Sequence, residues 1–558
     1  MNAAIRRSRQ VNPASRPSDA ASGTPLASAL GVVAALLWIV QAAIIAAVVG
    51  KLAEGGLRGV YWYAGAYLAV GMLRSSMDAW AARRQFAAAR ASVTAMRAAA
   101  AAALARRSPL DAAGLPSGAA ASVLGEQLEA VLPWLLRYQP ARWRALLVPP
   151  IIAACIACWS WVPALILLAA APLIPLFMAV IGWRAQAASE AQLQQQGGIN
   201  GFLLDRLRGL ATLRALDAVD LSARRLRACA EALRASTMKV LRIAFLSSTA
   251  LELFSALGVA LVAVYIGFHL LGEIDGGSWG RRLSLAEGLF ILLLAPAFFE
   301  PLRDLSAAWH DKAAGEASRT ALAAVLDGGL SLPDAGNAAA GATGAVAVDI
   351  AALAFQHRGE APLFTNFDLH IRAGEHVALV GASGSGKTTL LSLIAGLAPW
   401  SAGAIRVGGI AAAAMGPRIG WIGQRPHIFA GSVGANVAMG RPAVTPAQVA
   451  AAIAFVGLDR VHHASAGDAL GEGGAGLSGG ELVRLSLARA AVTADCALLL
   501  ADEPTAHLDR DSAAAVMDAL IQLAQGRTLI IATHDRQLAA RIGRVIDLDA
   551  PHGARRAA

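Results

Sequence analysis

Apolar positions along this chain fall into two regimes. Up to residue 299 they gather into six long stretches, 26–52, 60–80, 143–159, 162–183, 243–271 and 283–299, separated by arginine-rich polar segments. A helix needs about 20 residues to cross a hydrocarbon core, so the pattern predicts an all-α membrane domain of six helices. Trp62, Trp80, Trp143, Trp159, Trp161 and Trp183 stand near span ends, where interfacial aromatics belong. The linkers 87–107 and 192–242 keep helical spacing, so the membrane helices are expected to project past the bilayer. Breaks near 107–118 and 205–217 are the expected contact points with a soluble domain. Beyond residue 345 short β-rich runs alternate with helical ones, the signature of an α/β domain. The organisation read from the pattern is a disordered cytoplasmic tail over 1–25, a six-helix membrane domain over 26–326, a Gly/Ala/Pro/Asp linker over 327–345 and an α/β domain over 346–558.

Composition agrees with a membrane class, since 56% of the 558 residues are hydrophobic and only 15% charged. The net charge of +10 raises a nucleic-acid partner. Its distribution dismisses one, because the arginines crowd 81–142 and 184–242, which the topology makes cytoplasmic, as the positive-inside bias requires. Four scattered cysteines build no disulfide framework. The polar first 25 residues carry Arg6, Arg7, Arg9 and Arg16 and run straight into an apolar span, so they read as a tail before an uncleaved anchor.

The α/β domain holds the chemistry. The apolar strand 377–380 leads into the loop GASGSGKTT at 381–389, followed by an apolar helix over 390–397. This is a phosphate-binding loop in its strand–loop–helix context. Gly381, Ser383, Gly384, Gly386 and Thr389 shape a cradle of backbone N–H groups, Lys387 reaches the β/γ-phosphates, and the Thr388 hydroxyl holds Mg²⁺. A second apolar strand, 497–501, ends in Asp502 and Glu503. Asp502 suits Mg²⁺ binding, and Glu503 suits polarising the water that attacks the γ-phosphate.

These features, with three more, resemble the ABC ATPase family. The run LSGGE at Leu477, Ser478, Gly479, Gly480 and Glu481 is similar to its signature motif, with Glu where Gln is commonest. The resemblance implies that Gln424 senses Mg²⁺ and contacts the membrane domain, that 506–509 crosses a dimer seam, and that His534 is the switch histidine at the γ-phosphate. It also implies that such domains pair head to tail, each ATP lying between one phosphate loop and the partner's signature. The adenine-stacking aromatic of the family would fall at His357, which leaves base stacking open.

An N-terminal membrane domain fused to the ATPase is the layout of ABC exporters. The stretches 171–178, 204–209, 240–248 and 301–305 resemble CydD-type half-transporters, which serve cytochrome bd assembly. The resemblance implies a bacterial inner-membrane location, a heterodimer with a CydC-like partner, and a cargo of cysteine and glutathione, with haem as a rival. A lipid or multidrug exporter is the alternative. A soluble ABC ATPase is excluded by the spans, and a peptidase fusion by the lack of room before residue 26.

Ionisable groups at membrane depth mark the cargo candidates, because they are costly there. Arg74 and Asp78 lie one helical turn apart in the second span, and Glu252 lies in the fifth. Two readings stand for Arg74: a local pair with Asp78, or attraction of a cargo carboxylate. Cys155 and Cys158 share a helix face and read as small packing residues. His269 reads as either a haem ligand or a lone interfacial histidine.

Overall fold

The computed structural model describes residues 25–549 except 57–58, 112–116, 174–198, 200–201, 204, 208, 328, 334–343, 425, 463, 472–475 and 494. The tail expected over 1–25 (save Pro25), the end of the fourth span, residues 334–343 of the linker, and residues 174–178, Leu204 and Arg208 of the CydD-like stretches lie outside the described residues. Two compact units emerge: residues up to 102 with 115–327, and 103–114 with 328–558.

In the first unit, α1 spans Pro25–Ala53, α2 Val60–Ala105, α3 Gln139–Trp159, α4 Trp161–Ala170, α5 Val219–Leu271, α6 Leu285–Ala307 and α7 Trp309–Asp327. Among the described residues, four helical stretches are long and apolar enough to cross a membrane: Pro25–Ala53, Gly118–Trp159, Glu252–Leu271 and Leu285–Asp327. The expected second span is the first half of α2, where Tyr61, Trp62, Arg74 and Asp78 temper its hydropathy. The expected fourth span begins as α4.

Helix α6 packs against α1, α3 and α5. Small residues permit the approach, as is usual where lipid offers no hydrophobic drive. A Cβ at Gly50 would come within 2.8 Å of the Ala286 methyl, and one at Gly258 within 2.7 Å of the Phe299 ring. Ser284 starts α6 with a capping box closed by Glu287. Gly272, at φ 82°, ends α5 in the left-handed conformation that glycine tolerates best. The break expected within 205–217 falls at Asp217, φ 52°, just before α5. His269 is buried, stacks on Tyr265 and lies 3.2 Å from Ser278 Oγ, with the Leu283 N–H donating to its Nε2.

The second unit is built on strands β1 Val348–Gln356, β2 Pro362–Ile371, β3 His376–Val380, β4 Ala402–Val407, β5 Ile410–Ala411, β6 Ile419–Ile422, β7 Gly431–Ser432, β8 Ala469–Leu470, β9 Leu498–Asp502, β10 Thr528–Ala532 and β11 Arg544–Asp547. A parallel sheet runs β11-β3-β10-β9-β6, and an antiparallel one runs β2-β1-β4-β5. Both β9 and β10 are buried along their whole length, which explains their continuous apolar runs. One apolar core joins the antiparallel sheet to the phosphate-loop helix α8, Lys387–Ile394. A second core lies beneath the signature helix α9, Gly479–Ala491, and α10, Arg510–Ala524.

Residues 103–114 belong to this second unit. Ser108 Oγ donates to the Leu397 carbonyl at 2.6 Å, its N–H donates to the Leu330 carbonyl at 2.8 Å, and Leu110 packs on the sheet core. Residues 107–111 of the expected break are therefore part of the second unit.

Candidate active site

The phosphate loop leaves the parallel sheet at the end of β3. Gly381, Gly384 and Gly386 adopt φ of 156°, 86° and 94°, so the loop needs glycine at each. Gly386 caps α8, and that helix therefore starts at Lys387, three residues earlier than its apolar run suggests. Lys387 is only 6% exposed. Its ammonium donates to the carbonyls of Gly381 and Ala382 at 2.8 and 2.9 Å. These are neutral acceptors, from which an anionic polyphosphate would draw the charge.

Asp502 is the last residue of β9, not the first beyond it, and is 5% exposed. Burial pushes its carboxyl above the ordinary range, with Glu503 adding to the rise, while the Thr388 hydroxyl bond and the Lys387 charge pull it back. Thr388, Asp502 and the Gln424 amide supply oxygen donors only, the set a hard cation such as Mg²⁺ takes. A cation here would also relieve the buried carboxylate, so these residues fit the ion.

Glu503 has φ 45°, a conformation that costs energy in a non-glycine residue and recurs at functional sites. Its N–H donates to the Ala532 carbonyl at 2.9 Å, fixing it against the end of β10. The Gln424 amide donates to Glu503 Oε2 at 3.2 Å, and His534 Nδ1 lies 3.4 Å from Oε1. Gln424, Glu503 and His534, 79 and 31 residues from one another in sequence, thus meet at one carboxylate. His357 Nε2 lies 3.3 Å from Thr389 Oγ1, and its ring sits edge-on to Phe355 at 4.9 Å. That ties His357 to the phosphate loop.

The signature residues are organised separately. Ser478 caps α9, its hydroxyl accepting from the Glu481 N–H while the Glu481 carboxylate accepts from the Ser478 N–H at 2.7 Å. Glutamate completes this capping box as glutamine would. Gly479 and Gly480 face Leu508 and Ser512, which follow His507 at φ 63°. Ser478 and Gly479 are exposed, open to whatever lies outside this chain.

Sequence reasoning missed Asp549. Its carboxylate accepts a 2.6 Å bond from the Ala382 N–H inside the phosphate loop. No motif spacing signals it, because the contact depends on the register of β11 beside β3.

Of the cargo candidates in the first unit, Arg74 lines a cavity of about 50 Å³ with Trp38, Asp78, Arg144, Glu300 and Asp304. Asp78 pairs with Arg144 at 3.0 Å, not with Arg74. Arg74 instead donates to Gln41 Oε1 at 3.4 Å and lies over the Trp38 ring at 5.6 Å. Four helices line this cavity, and Asp78 and Arg144 stand on different ones, so an in-helix spacing rule could not have found the true partner of Asp78. Glu252 is exposed on α5 and is not among the residues lining this cavity.

Comparison with known proteins places these findings in context. The family described as ABC transporter matches residues 364–506, and that described as ABC transporter transmembrane region matches residues 26–291. The chain is 36% identical to the glutathione/L-cysteine transport system ATP-binding/permease protein CydD of Escherichia coli, over 75% of this chain and 73% of that one. It is also 36% identical to the transport ATP-binding protein AarD of Providencia stuartii, over 76% and 74%. Identity to the glutathione/L-cysteine transport system protein CydC of Bacillus subtilis is 31%, over 69% and 67%.

Proposed function

This chain belongs to the ABC transporter family as a membrane exporter with its own ATPase domain, and from that premise we propose that it is the CydD-type half of a heterodimer with a CydC-like partner. Its place is the bacterial inner membrane, with the N-terminus and the ATPase domain cytoplasmic. The cargo is cysteine or glutathione, the pair named for its relatives, delivered for cytochrome bd assembly as the CydD resemblance implies; haem is the rival. The single observation that supports the reading is the meeting of Gln424, Glu503 and His534 beside the buried Lys387 and Asp502, a set from which a hydrolytic half-site would be built.

In that half-site residues 381–389 bind the triphosphate, and Lys387 exchanges its two carbonyls for phosphate oxygens. Thr388, Asp502 and Gln424 would hold Mg²⁺, which would supply positive charge against the phosphates. Glu503 orients and polarises the attacking water, with His534 and Gln424 fixing its carboxylate. His357 borders the base. Leu477, Ser478, Gly479, Gly480 and Glu481 close the other ATP site, against the partner's phosphate loop. The domain limits are those of the sequence pattern, and Arg74 and Glu252 are the cargo candidates, with Arg74 the stronger because it lines a cavity.

The test is transport by the purified two-subunit complex in vesicles, comparing cysteine, glutathione, haem and a fluorescent lipid. ATP-dependent uptake of cysteine or glutathione into inside-out vesicles is expected, and movement of the lipid alone would overturn the cargo. A stable, fully active homodimer of this chain would overturn the heterodimer.

A further inference from the structure

The first peptide of the phosphate loop is gripped from two sides. On one side, Lys387 holds the carbonyls of Gly381 and Ala382. On the other, Asp549 Oδ2 accepts the Ala382 N–H at 2.6 Å, a length typical of a charge-assisted bond. These two grips differ in kind. The lysine has work elsewhere once a triphosphate enters, whereas the aspartate has none.

The placement of Asp549 follows from the sheet. β11 lies parallel to β3 with Asp547 opposite Val380, and the Leu548 N–H donates to the Val380 carbonyl at 2.9 Å. The ladder thus runs one step past β3, and the next side chain reaches the loop. The Asp549 N–H donates to Asp547 Oδ1 at 3.0 Å, and Asp547 Oδ2 pairs with Arg536 at 3.0 Å. Arg536 stands two residues after His534, so the exit of β11 is tied to both the phosphate loop and the histidine segment. Packing confirms how little freedom the loop has here: a Cβ at Gly381 would meet Ser385 Oγ at 2.6 Å and Asp549 Oδ1 at 3.4 Å.

We infer that Asp549 is a positioning residue for ATP binding, holding the Gly381–Ala382 peptide in place when Lys387 leaves it for the phosphates. Without that bond, the lysine's departure would free both faces of the peptide, and the cradle would have to be re-formed around each incoming nucleotide. The carboxylate also brings negative charge near an anion site, which works in the opposite direction. An Asn substitution separates the two effects, since it keeps an acceptor oxygen and removes the charge.

The experiment uses the full chain with its partner, measuring KM for ATP, kcat and nucleotide-free melting temperature. Asp549→Ala is expected to raise KM roughly three- to tenfold with kcat within about twofold, as the loss of one charge-assisted bond in binding predicts. Asp549→Asn should recover most of the loss. A KM that stays level or falls in both variants would overturn the inference, as would a melting temperature and kcat that drop together at constant KM. If the Ala variant does not assemble, Asp549→Asn and Asp549→Ser decide. KM should rise from wild type to Asn to Ser, and any other order rejects the role.

Discussion

Two cations, the buried Lys387 in the ATPase unit and the half-buried Arg74 in the membrane unit, make an instructive contrast. Both rest on neutral partners: the lysine on two carbonyls at 2.8 and 2.9 Å, the arginine on an amide oxygen at 3.4 Å and a Trp38 ring. Among the described residues neither forms an ion pair closer than 4.0 Å. They differ in how the chain sets them there. Lys387 is placed by backbone, through a strand, three positive-φ glycines and a helix start. Arg74 is placed by side chains, because the nearby Arg144 has taken the carboxylate that helical spacing would have given it. A local backbone device is more robust than a constellation drawn from three helices, and it is also easier to read.

The largest effect should come from Glu503→Gln. Removing the carboxylate on which Gln424 and His534 converge should slow hydrolysis at this half-site by roughly 10²–10⁴-fold, the usual worth of a general base. MgATP binding, followed by equilibrium dialysis, should persist. Normal turnover in the reconstituted complex would remove Glu503 from the mechanism.

Next in size is Lys387→Ala, which should weaken ATP binding roughly 10- to 100-fold because it deletes a charge-assisted partner of the phosphates. Nucleotide-free melting should change little, since the two carbonyls it leaves can bind water. A melting temperature that collapses while affinity holds would show that the lysine is structural, and the contrast with Arg74 would fail.

The membrane unit offers the smallest and most diagnostic effects. Arg144→Ala and Asp78→Ala should each lower the melting temperature of the complex by roughly 2–4 °C, with measurable coupling in a double-mutant cycle. The pair is about one-third exposed on each side, which keeps the effect modest. Arg74→Ala should leave melting nearly unchanged and reduce cargo-stimulated ATPase instead. Coupling of Asp78 to Arg74 in place of Arg144 would reverse the assignment.

Legibility followed the same divide. The parallel core, the phosphate loop and the Asp502–Glu503 strand end could be read because buried strands and glycine-dependent loops write themselves into contiguous residues. Strand and helix limits moved by one to three residues where a backbone turn decided them, as Gly386 did for α8. Asp549 and the Asp78–Arg144 pair could not be read. Both depend on register or on crossings between segments far apart in the chain, and no local period encodes those. The positive φ of Glu503 was equally hidden, since glutamate gives no hint of left-handed backbone.

Helix α2 has a mechanical side. At about 1.5 Å per residue its 46 residues form a rod of roughly 69 Å, more than twice the roughly 30 Å of a hydrocarbon core. The part past residue 80 is an overhang of roughly 37 Å, so a rocking of about 5° would sweep its tip by about 3 Å. Small angular changes along its first half therefore become larger displacements at its far end, and the helix acts as a lever arm whose gain is set by residue count.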